Sequence, residues 1–560
     1  MAFFNKKRTS IYKNDLIVFN MNRYLKNLLL ALFSGILLAV SWPKNGISFL
    51  LFIAFIPLLF LENDYYIKKI KNSSIPVFLY SWLTFLTWNI LTTYWIKNAT
   101  VEGAVGANIA NSLFMAITFT IFHTIRCKIN SKNDIYILMF IWITFEYIHL
   151  NWDLDWTWLT LGNGLASSWK IIQWYEYTGV LGGSLWVLGL NILGFSIFKK
   201  IILKENGLNK SIIAFSVILL VPISVSIIRY YTYNENHEKP INVVMVQPNV
   251  DPYYEKFVEA NFAKQNLDYI NLAKQKTDNN TDFILGPETA IVDAIWLNNI
   301  EDEIVVDLFE NFVYQYKKAN LVIGINSFKL YENEGEKTST SRKFSTDGDE
   351  YYDAFNTAIL ISKNQKIQYH NKSKLVIGVE KMPYPVILKF LESLIIDLGG
   401  TSGSLGFSEK ASVLKTNNNI TVAPIICYES IYGEYVTSYV SLGAQALFII
   451  TNDGWWGETP GYKQHNEYAR LRAIETRRSI ARCANTGTSC FLNQKGDMFD
   501  ETKYNTEAVL SNKIYLNNDI TFYVKFGDYI GRISALISVL LLLLYIVKLF
   551  KKEKIKNSNI

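Results

Sequence analysis

Cysteine is scarce in this chain of 560 residues, which contains only Cys127, Cys427, Cys483 and Cys490. No two of them have the spacing of a zinc finger, and four cysteines in so long a chain do not indicate a disulfide scaffold. The sequence leaves open whether Cys483 and Cys490 pair. We therefore expect no metal centre, and each thiol serves either packing or chemistry.

A strong excess of charge of one sign is also missing. The chain has 55 Lys and Arg against 49 Asp and Glu, and a formal net charge of +6 is too small to indicate a nucleic-acid partner. Hydrophobic residues make up 50% of the chain, which is high for a soluble protein. The basic residues lie beside the apolar runs, as they do in membrane proteins.

Apolar runs long enough to be candidate membrane spans lie on both sides of a polar region. Seven runs precede this region and one follows it: residues 24–42, 47–62, 75–96, 104–125, 134–150, 181–198, 211–229 and 530–550. The predicted organisation is a tail at 1–21, a helical bundle at 22–230, a polar domain at 231–527, a last helix at 528–550 and a tail at 551–560.

The loops between the predicted spans alternate between rich and poor in basic residues. The first tail carries Lys6, Lys7, Arg8 and Lys13, whereas the next loop has only Lys44. By the positive-inside rule, both termini lie in the cytoplasm. Because seven crossings separate the first tail from the polar domain, we expect this domain on the periplasmic or exterior side.

The polar domain shows short apolar runs separated by polar segments. Six runs have the length and composition of strands: INVVMVQPN, DFILGPE, NLVIGINSF, AFNTAILISKN, ITVAPIICYE and ALFIITNDG. Residues 257–276 and 464–483 carry apolar residues at helical spacing. Strands that alternate with helices predict a layered α/β domain.

Three reactive side chains lie at or beyond the ends of these strands. Glu288 follows FILGP, Cys427 follows APII, and Lys372 lies in the loop after AFNTAILIS. A carboxylate, an ammonium and a thiol supply the base, the oxyanion partner and the nucleophile of a cysteine-based acyl transfer. Each residue alone indicates little, because a single charged residue after a strand is usually solvated. The combination, held between membrane spans, indicates catalysis on a lipid-like substrate.

Tryptophan is concentrated in the loop before the sixth predicted span, at Trp152, Trp156, Trp158, Trp169 and Trp174. These residues form either an aromatic belt at the bilayer interface or part of a lipid-facing mouth. The same region has an acidic residue, Glu146, near the end of the fifth predicted span. An acidic group inside the bundle would be a functional candidate.

The flanks of the three reactive residues resemble motifs of the nitrilase superfamily of carbon–nitrogen hydrolases, which uses a Glu-Lys-Cys triad in this chain order. GPET resembles the glutamate motif, NKSKL the lysine motif and CYES the cysteine motif, and TNDGWWG and RLRAIETRRSIARCANTG match further stretches. With its pattern of spans, nearly the whole chain is similar to the apolipoprotein N-acyltransferase family, the membrane-embedded branch of that superfamily. The resemblance implies a membrane α-helical bundle plus an α/β nitrilase-like α-β-β-α sandwich.

The resemblance implies a ping-pong reaction. Cys427 takes an acyl chain from a phospholipid, typically phosphatidylethanolamine, and passes it to the α-amino group of the diacylglyceryl-cysteine at the N-terminus of a lipoprotein. Glu288 is then the general base and Lys372 stabilises the oxyanion. The implied partners are the phospholipid donor, the diacylated prolipoprotein acceptor and membrane lipids, without a cofactor. The family further implies a monomer in the bacterial inner membrane with its catalytic domain in the periplasm.

Supporting roles are implied for Glu380, Tyr428 and Glu429, which match further residues of the family's site. Many family members have a histidine two residues after the catalytic lysine, where this chain has Lys374. Both Lys372 and Lys374 are therefore candidates for the active lysine. The eight-residue spacing to Glu380 favours Lys372.

Four aromatic residues are candidates for contact with lipid. Trp455 and Trp456 either line a membrane-facing mouth that keeps water from a thioester or belong to the core. The family often has a tryptophan shortly after a Gln-x-Asn segment. This chain offers Tyr254 and Phe257 there instead.

Three other functions are compatible with parts of this pattern. A membrane-tethered amidase would hydrolyse small amides, but soluble amides do not require an eight-helix bundle. A catalytically inactive binding scaffold has no need of all three reactive side chains. A transporter would require ionisable residues in mid-span, and few occur.

Overall fold

The structure is a computed structural model that describes residues 22–44, 46–235, 237, 239–345, 348–382, 384 and 404–557. The predicted tail at residues 1–21 lies outside the described residues. Within the described residues, seven α-helices precede the polar domain: α1 (Arg23–Val40), α2 (Ile56–Lys68), α3 (Ser74–Thr93), α4 (Val101–Ile129), α5 (Ile137–His149), α6 (Tyr175–Leu203) and α7 (Leu208–Thr232).

Seven helical segments of the described chain are long and apolar enough to cross a membrane, and this number differs from the eight predicted spans. The missing one is the fifth, predicted at residues 134–150. Here α5 has only 13 residues. It is about 20 Å long, which is shorter than the hydrocarbon core of about 30 Å. The fifth predicted span is therefore a shorter helix than expected.

The chain after α5 folds into 3₁₀ segments at Thr157–Leu159 and Leu161–Ile171 that are buried against the bundle. The carboxylate of Glu146 accepts hydrogen bonds from the indole of Trp142 at 3.0 Å and from the backbone N–H of Leu161 at 2.8 Å. Glu146 thus holds the start of a buried loop in place, which gives this acidic residue a structural role.

The polar domain alternates strands and helices, followed by a long final helix. The elements are β1 (Pro240–Gln247), α8 (Phe262–Lys274), β2 (Phe283–Leu285), β3 (Ile291–Trp296), α9 (Ile304–Val313), β4 (Asn320–Tyr331), β5 (Arg342–Lys343), β6 (Tyr351–Ser362), β7 (Gln368–Asn371), β8 (Leu414–Lys415), β9 (Thr421–Ile426), α10 (Gly433–Ser441), β10 (Ala446–Thr451), α11 (Pro460–Thr476), β11 (Ile480–Ala484), β12 (Cys490–Leu492), β13 (Met498–Phe499), β14 (Ala508–Tyr515), α12 (Phe522–Phe526) and α13 (Tyr529–Asn557).

The six predicted strands are all present, but the helix predicted at residues 464–483 is too long. In the structure α11 ends at Thr476, and the chain turns at Arg477, whose φ is +51°. Residues 480–484 then form β11, a buried strand. A left-handed residue ends a helix because it turns the backbone away from the helical path.

The strands form two sheets that pack face to face. In the described chain, one sheet has eight strands in the order β14-β1-β2-β4-β6-β5, with β3 beside β4 and β7 beside β6. The other has six strands in the order β13-β12-β11-β10-β9-β8. Apolar residues of both sheets, such as Met245, Leu285 and Phe448, share one buried cluster. Helices cover the two outer faces, so the predicted α-β-β-α sandwich is confirmed.

The sandwich is docked on the bundle through hydrogen bonds between distant parts of the chain. The indole of Trp42 donates to the hydroxyl of Tyr468 at 3.0 Å, and the indole of Trp158 donates to the side-chain oxygen of Gln464 at 2.7 Å. Both acceptors lie on α11. This helix therefore links the sandwich to the apolar helices of the bundle.

Candidate active site

Each of the three predicted reactive residues lies beyond the carboxyl end of a strand. β2 is parallel to β4, and β7 is also parallel to β4 because both are antiparallel to β6. Glu288 follows β2 and Lys372 follows β7 directly. Cys427 follows β9, which is parallel to β10 in the second sheet. Side chains at the carboxyl ends of parallel strands meet at one edge.

Lys372 is the centre of a buried ion cluster. Its Nζ lies 2.9 Å from Oε1 of Glu288 and 2.8 Å from Oε1 of Glu380. The side-chain amide of Asn356 donates to the same two oxygens, at 2.7 and 3.2 Å. Only 1% of the Lys372 side chain is exposed. The structure therefore brings two of the predicted reactive residues into direct contact.

Glu288 is held as a carboxylate. Burial raises its pKa, but the charge of Lys372 and the hydrogen bonds from Lys372 and Asn356 outweigh burial and lower the pKa below its usual value. The second oxygen accepts the backbone N–H of Asn452 at 3.0 Å. An ionised carboxylate at neutral pH can accept a proton.

Lys372 is held as an ammonium. Burial lowers its pKa, but the charges of Glu288 and Glu380 outweigh burial and raise the pKa well above the usual value. Lys374 lies elsewhere, with its ammonium 5.0 Å from the ring centre of Tyr432. Burial lowers the pKa of Lys374. The ion cluster thus forms around Lys372 and not around Lys374.

Cys427 occupies a sharp turn at the end of β9. Its φ is +49°, in the left-handed region that residues other than glycine rarely adopt, and a 3₁₀ turn at Cys427–Ile431 follows. Burial, together with the carboxylate of Glu288, raises the pKa of the thiol well above its usual value, and Lys372 opposes this only in part. The resting thiol is therefore neutral and requires a base.

Glu429 joins the cysteine turn to the lysine loop. Its carboxylate accepts the backbone N–H groups of Ile426 at 2.8 Å and Ser373 at 2.6 Å, and it also accepts from the hydroxyl of Tyr439 at 3.1 Å. Burial raises the pKa of Glu429, but the charge and hydrogen bond of His370 and the two backbone hydrogen bonds outweigh burial, so the pKa is lowered. This carboxylate orients the reactive residues without facing the cavity.

Tyr428 connects the cysteine turn to the buried loop of the bundle. Its hydroxyl donates to the backbone carbonyl of Asp155 at 3.3 Å. Its ring is stacked with that of Trp156, with 6.5 Å between the centres. The residue after the nucleophile therefore contacts the membrane part of the chain.

An apolar cavity of about 290 Å³ leads from Cys427 to the membrane helices. One wall is formed by α4, through Gly103, Gly106, Ala107 and Ala110. Phe114 of α4 also lines the cavity, and the remaining walls include Trp95, Trp156, Trp158, Val376, Val379, Tyr428 and Trp456. A mostly apolar cavity beside a nucleophile suits an apolar substrate.

The four predicted lipid-contacting aromatics separate into two groups. Trp456 lines the cavity, and its ring centre lies 4.9 Å from that of Trp95. Trp455 instead stacks with Phe257 at 6.3 Å, outside the cavity lining. Tyr254 is 82% exposed on the same loop as Phe257. The structure thus brings one of the four to Cys427.

Two site residues were not predicted from the sequence. Asn356 is a buried polar residue within β6 and donates hydrogen bonds to both carboxylates of the ion cluster. Its polar side chain within an otherwise apolar strand is the sequence feature that could have identified it. Lys256, 2% exposed, donates to the backbone carbonyl of Glu288 at 3.1 Å. Nothing in the local sequence distinguishes Lys256 from a surface lysine.

Cys483 and Cys490 are buried and do not pair with each other. None of the cysteines of the described chain forms a disulfide. Among the described residues, no group of three or more His, Cys, Asp and Glu side chains is arranged to hold a metal ion.

Comparison with known families assigns both parts of the chain. Residues 242–518 match the family described as carbon-nitrogen hydrolase, so the sandwich belongs to that class of proteins. Residues 34–193 match the family described as apolipoprotein N-acyltransferase N-terminal domain. The motif resemblance drawn from the sequence is therefore confirmed.

Curated relatives match over nearly the full length. The chain is 30% identical over 538 residues to the apolipoprotein N-acyltransferase of Chlorobaculum tepidum, covering 93% of this chain and 97% of the relative. It is 26% identical over 517 residues to that of Geobacter metallireducens, covering 90% and 92%. A solved nitrilase-superfamily protein of branch 10 from Saccharomyces cerevisiae aligns at 16% identity and a TM-score of 0.34, over 50% of this chain and 92% of that one. This chain belongs to the apolipoprotein N-acyltransferase family and is a membrane acyltransferase.

Proposed function

We propose that Cys427 carries an acyl chain as a thioester between a phospholipid donor and a lipoprotein acceptor. The donor is phosphatidylethanolamine, and the acceptor is the α-amino group of the diacylglyceryl-cysteine at the lipoprotein N-terminus. The observation that carries the proposal is a buried thiol that lines an apolar cavity and on which the charges of Glu288 and Lys372, two members of the ion cluster, act.

In the first half-reaction, Glu288 accepts the proton of the Cys427 thiol as the sulfur attacks the ester carbonyl carbon. The ammonium of Lys372 stabilises the negative charge on the carbonyl oxygen. The ester C–O bond then breaks, and the leaving lysophospholipid oxygen takes the proton from Glu288. The pKa of the Cys427 thiol is raised and that of the Glu288 carboxyl is lowered, so transfer of the proton to Glu288 before the attack is unfavourable. The proton therefore moves to Glu288 while the sulfur attacks the carbonyl carbon.

In the second half-reaction, the neutral amine attacks the thioester carbonyl carbon. Glu288 accepts the proton of the amine, the C–S bond breaks, and the proton returns to the sulfur of Cys427. The same base and the same ammonium therefore serve both steps. The aromatic and aliphatic walls of the cavity protect the thioester from water between the steps.

The cavity walls support a lipid donor. Gly103, Gly106, Ala107 and Ala110 leave room along α4, a helix long and apolar enough to lie in a bilayer. An acyl chain that enters between lipid and α4 reaches Cys427 without leaving apolar surroundings.

We infer that the protein lies in the inner membrane with the sandwich on the periplasmic side. The alternation of basic loops supports this orientation. Membership of the acyltransferase family does not favour the tethered amidase or the inactive scaffold.

The direct test uses purified protein with phosphatidylethanolamine and a synthetic diacylated lipopeptide. Mass spectrometry should find one further acyl chain on the peptide amine and, without the peptide, an acyl adduct on Cys427. Cys427→Ala should abolish both products and Cys427→Ser nearly all transfer, whereas Cys127→Ser should retain activity because Cys127 is exposed at the far end of α4. Transfer by an unmodified Cys427 would refute the covalent intermediate.

A further inference from the structure

Lys256 is a buried cation with too few acceptors. It lies in the loop between β1 and α8 and is 2% exposed. In the described part of the chain, its side-chain amine makes one hydrogen bond, to the backbone carbonyl of Glu288 at 3.1 Å. An ammonium has three donors, so two are left without a described acceptor. A buried ammonium with one hydrogen bond and, among the described residues, no direct ion pair is costly, which points to a functional use.

The charge balance of the site suggests that use. With both carboxylates ionised, Glu288, Glu380 and Lys372 together carry one negative charge. Behind the cysteine turn, Asp453 is neutralised by Arg482 at 2.7 Å. The nucleophile must therefore develop negative charge beside a cluster that is already negative. One further ammonium nearby offsets the repulsion between the forming negative charge on the sulfur and the cluster.

We propose that Lys256 is a positioning residue of the acyl transfer: its ammonium fixes Glu288 through the backbone and offsets the negative charge that forms at Cys427. This proposal rests on the proposed function of the site. Lys372 and Lys256 then supply two cations that act on the nucleophile from different elements, one from the end of β7 and one from the loop after β1.

The ionisation of Lys256 agrees with this role. Burial lowers its pKa to about 8, and the opposing charges that act on it are those of Glu288, after β2, and Cys427, after β9. On its own loop, Asp251 and Glu255 are also acidic, and the Asp251 carboxylate accepts backbone N–H groups of that loop. Lys256 is therefore charged at neutral pH and loses its charge as pH rises through about 8.

The test compares Lys256→Met, Lys256→Arg and the control Lys264→Met, which removes an exposed lysine of α8. The first measurement is the rate at which iodoacetamide alkylates Cys427, followed by peptide mass spectrometry between pH 6 and 10. Without the ammonium, the thiolate is less stable. Lys256→Met should therefore react about tenfold more slowly at pH 7.5 and shift the profile to higher pH, whereas Lys264→Met should match the wild type.

The second measurement is acyl transfer as a function of pH. Wild-type kcat should fall above pH 8, and Lys256→Arg should keep its activity to higher pH because the guanidinium stays charged. An alkylation profile of Lys256→Met that coincides with the wild type would overturn the proposal, as would identical pH dependence of transfer in wild type and Lys256→Arg. Alkylation does not require acyl transfer, so it separates failure of this inference from failure of the proposed function.

Discussion

The site places the buried ammonium of Lys372 between the buried carboxylate of Glu288 and the partly buried carboxylate of Glu380. One oxygen of each carboxylate lies within 2.9 Å of the Lys372 nitrogen, so the three charges stabilise one another. Removing one member leaves the others as charges without a partner. The resulting loss of folding free energy is much larger than the net stabilisation that the intact cluster provides. Catalytic and structural roles of Lys372 can therefore be separated only with a compensating second substitution.

Lys372→Met should abolish acyl transfer and lower the free energy of unfolding by about 3–5 kcal/mol, because it leaves Glu288 and Glu380 as uncompensated neighbours. The double variant Lys372→Met/Glu380→Gln should regain part of the lost stability and none of the activity. Thermal unfolding and lipopeptide acylation measure the two effects. Lys374→Met is the matched control and should retain most activity. Loss of transfer in Lys374→Met with transfer kept in Lys372→Met would make Lys374 the active lysine.

Glu429→Gln should destabilise the protein by about 3 kcal/mol at neutral pH, because it removes a buried carboxylate that orders the Cys427 turn. The folded-state pKa of Glu429 is lowered, so its contribution is present above the ordinary pKa of about 4.3 and is lost as pH falls through the folded value. The difference in Tm between wild type and variant should therefore shrink below pH 4.3.

The control for Glu429→Gln is Glu301→Gln, which neutralises an exposed carboxylate and should leave Tm nearly unaltered. A Tm difference for Glu429→Gln that stays constant from pH 7 to pH 3.5 would mean that the carboxylate charge is not what stabilises the turn.

Sequence motifs located Glu288 and Cys427 because each follows a recognisable buried strand. They did not locate Asn356 or Lys256, which join the site only through tertiary structure. Asn356 reaches the cluster because β6 pairs with β4 and β7 in a defined register. Lys256 reaches it because the loop after β1 folds back over Glu288. Both depend on contacts between residues far apart in the sequence.

At the level of elements, apolar runs predicted the central strands well and the short edge strands poorly. β7 was expected to be a loop, although it carries Lys372 at its end. Four residues are too few to show a period, and β7 is defined by pairing with β6. The helix predicted at residues 464–483 is longer than α11 because the apolar residues of β11 continue the apolar pattern of the helix past Arg477. Element type was thus predictable where a run was long and ambiguous where it was short.

Helix α4 provides a test of the cavity as an acyl site. An added Cβ at Gly106 meets nothing within 4 Å, whereas one at Gly103 would lie 2.5 Å from Thr100. Gly106→Leu should therefore fold normally while its side chain displaces about two methylenes of a bound acyl chain. At about 0.8 kcal/mol per methylene, kcat/KM for long-chain donors should fall about tenfold.

The measurement for Gly106→Leu is a series of phosphatidylethanolamines of increasing chain length, with Gly106→Ala as the control. The loss should be larger for long chains than for short ones, and Gly106→Ala should be close to wild type. An equal loss for all chain lengths would indicate that the acyl chain lies elsewhere.

Across the whole molecule, the Trp-rich loop is an interface between bundle and sandwich. Trp158 is buried against α11, and Trp169 donates to Asp497 at 2.9 Å. Trp156 and Trp158 also line the cavity, so these residues belong to the mouth rather than to a simple interfacial belt. Composition could suggest a membrane interface, but only the fold shows which tryptophans face protein.

The contacts at the two ends of the long helix α4 show which end of the bundle lies beside the sandwich. Near its start, the side-chain amide of Asn98 donates to the backbone carbonyl of Trp456 in the sandwich at 2.8 Å. Its 29 residues extend about 43 Å. At its other end, Lys548 of the final helix donates to the carbonyl of Ile129 at 2.7 Å. The end of α4 that carries Cys127 therefore lies opposite the sandwich.

This geometry makes the proposed orientation testable with a native cysteine. Cys127 is exposed, whereas Cys427, Cys483 and Cys490 are buried. A membrane-impermeant maleimide added to intact spheroplasts should leave Cys127 unlabelled and should label a cysteine placed on the sandwich by Lys276→Cys, an exposed position. Permeabilisation should make Cys127 reactive, because the proposed orientation places its end of the bundle on the cytoplasmic side. Labelling of Cys127 in intact spheroplasts, with the cysteine of Lys276→Cys unlabelled, would place the sandwich on the cytoplasmic side. There the enzyme could meet phospholipid but not exported lipoproteins, so the proposed orientation would be wrong.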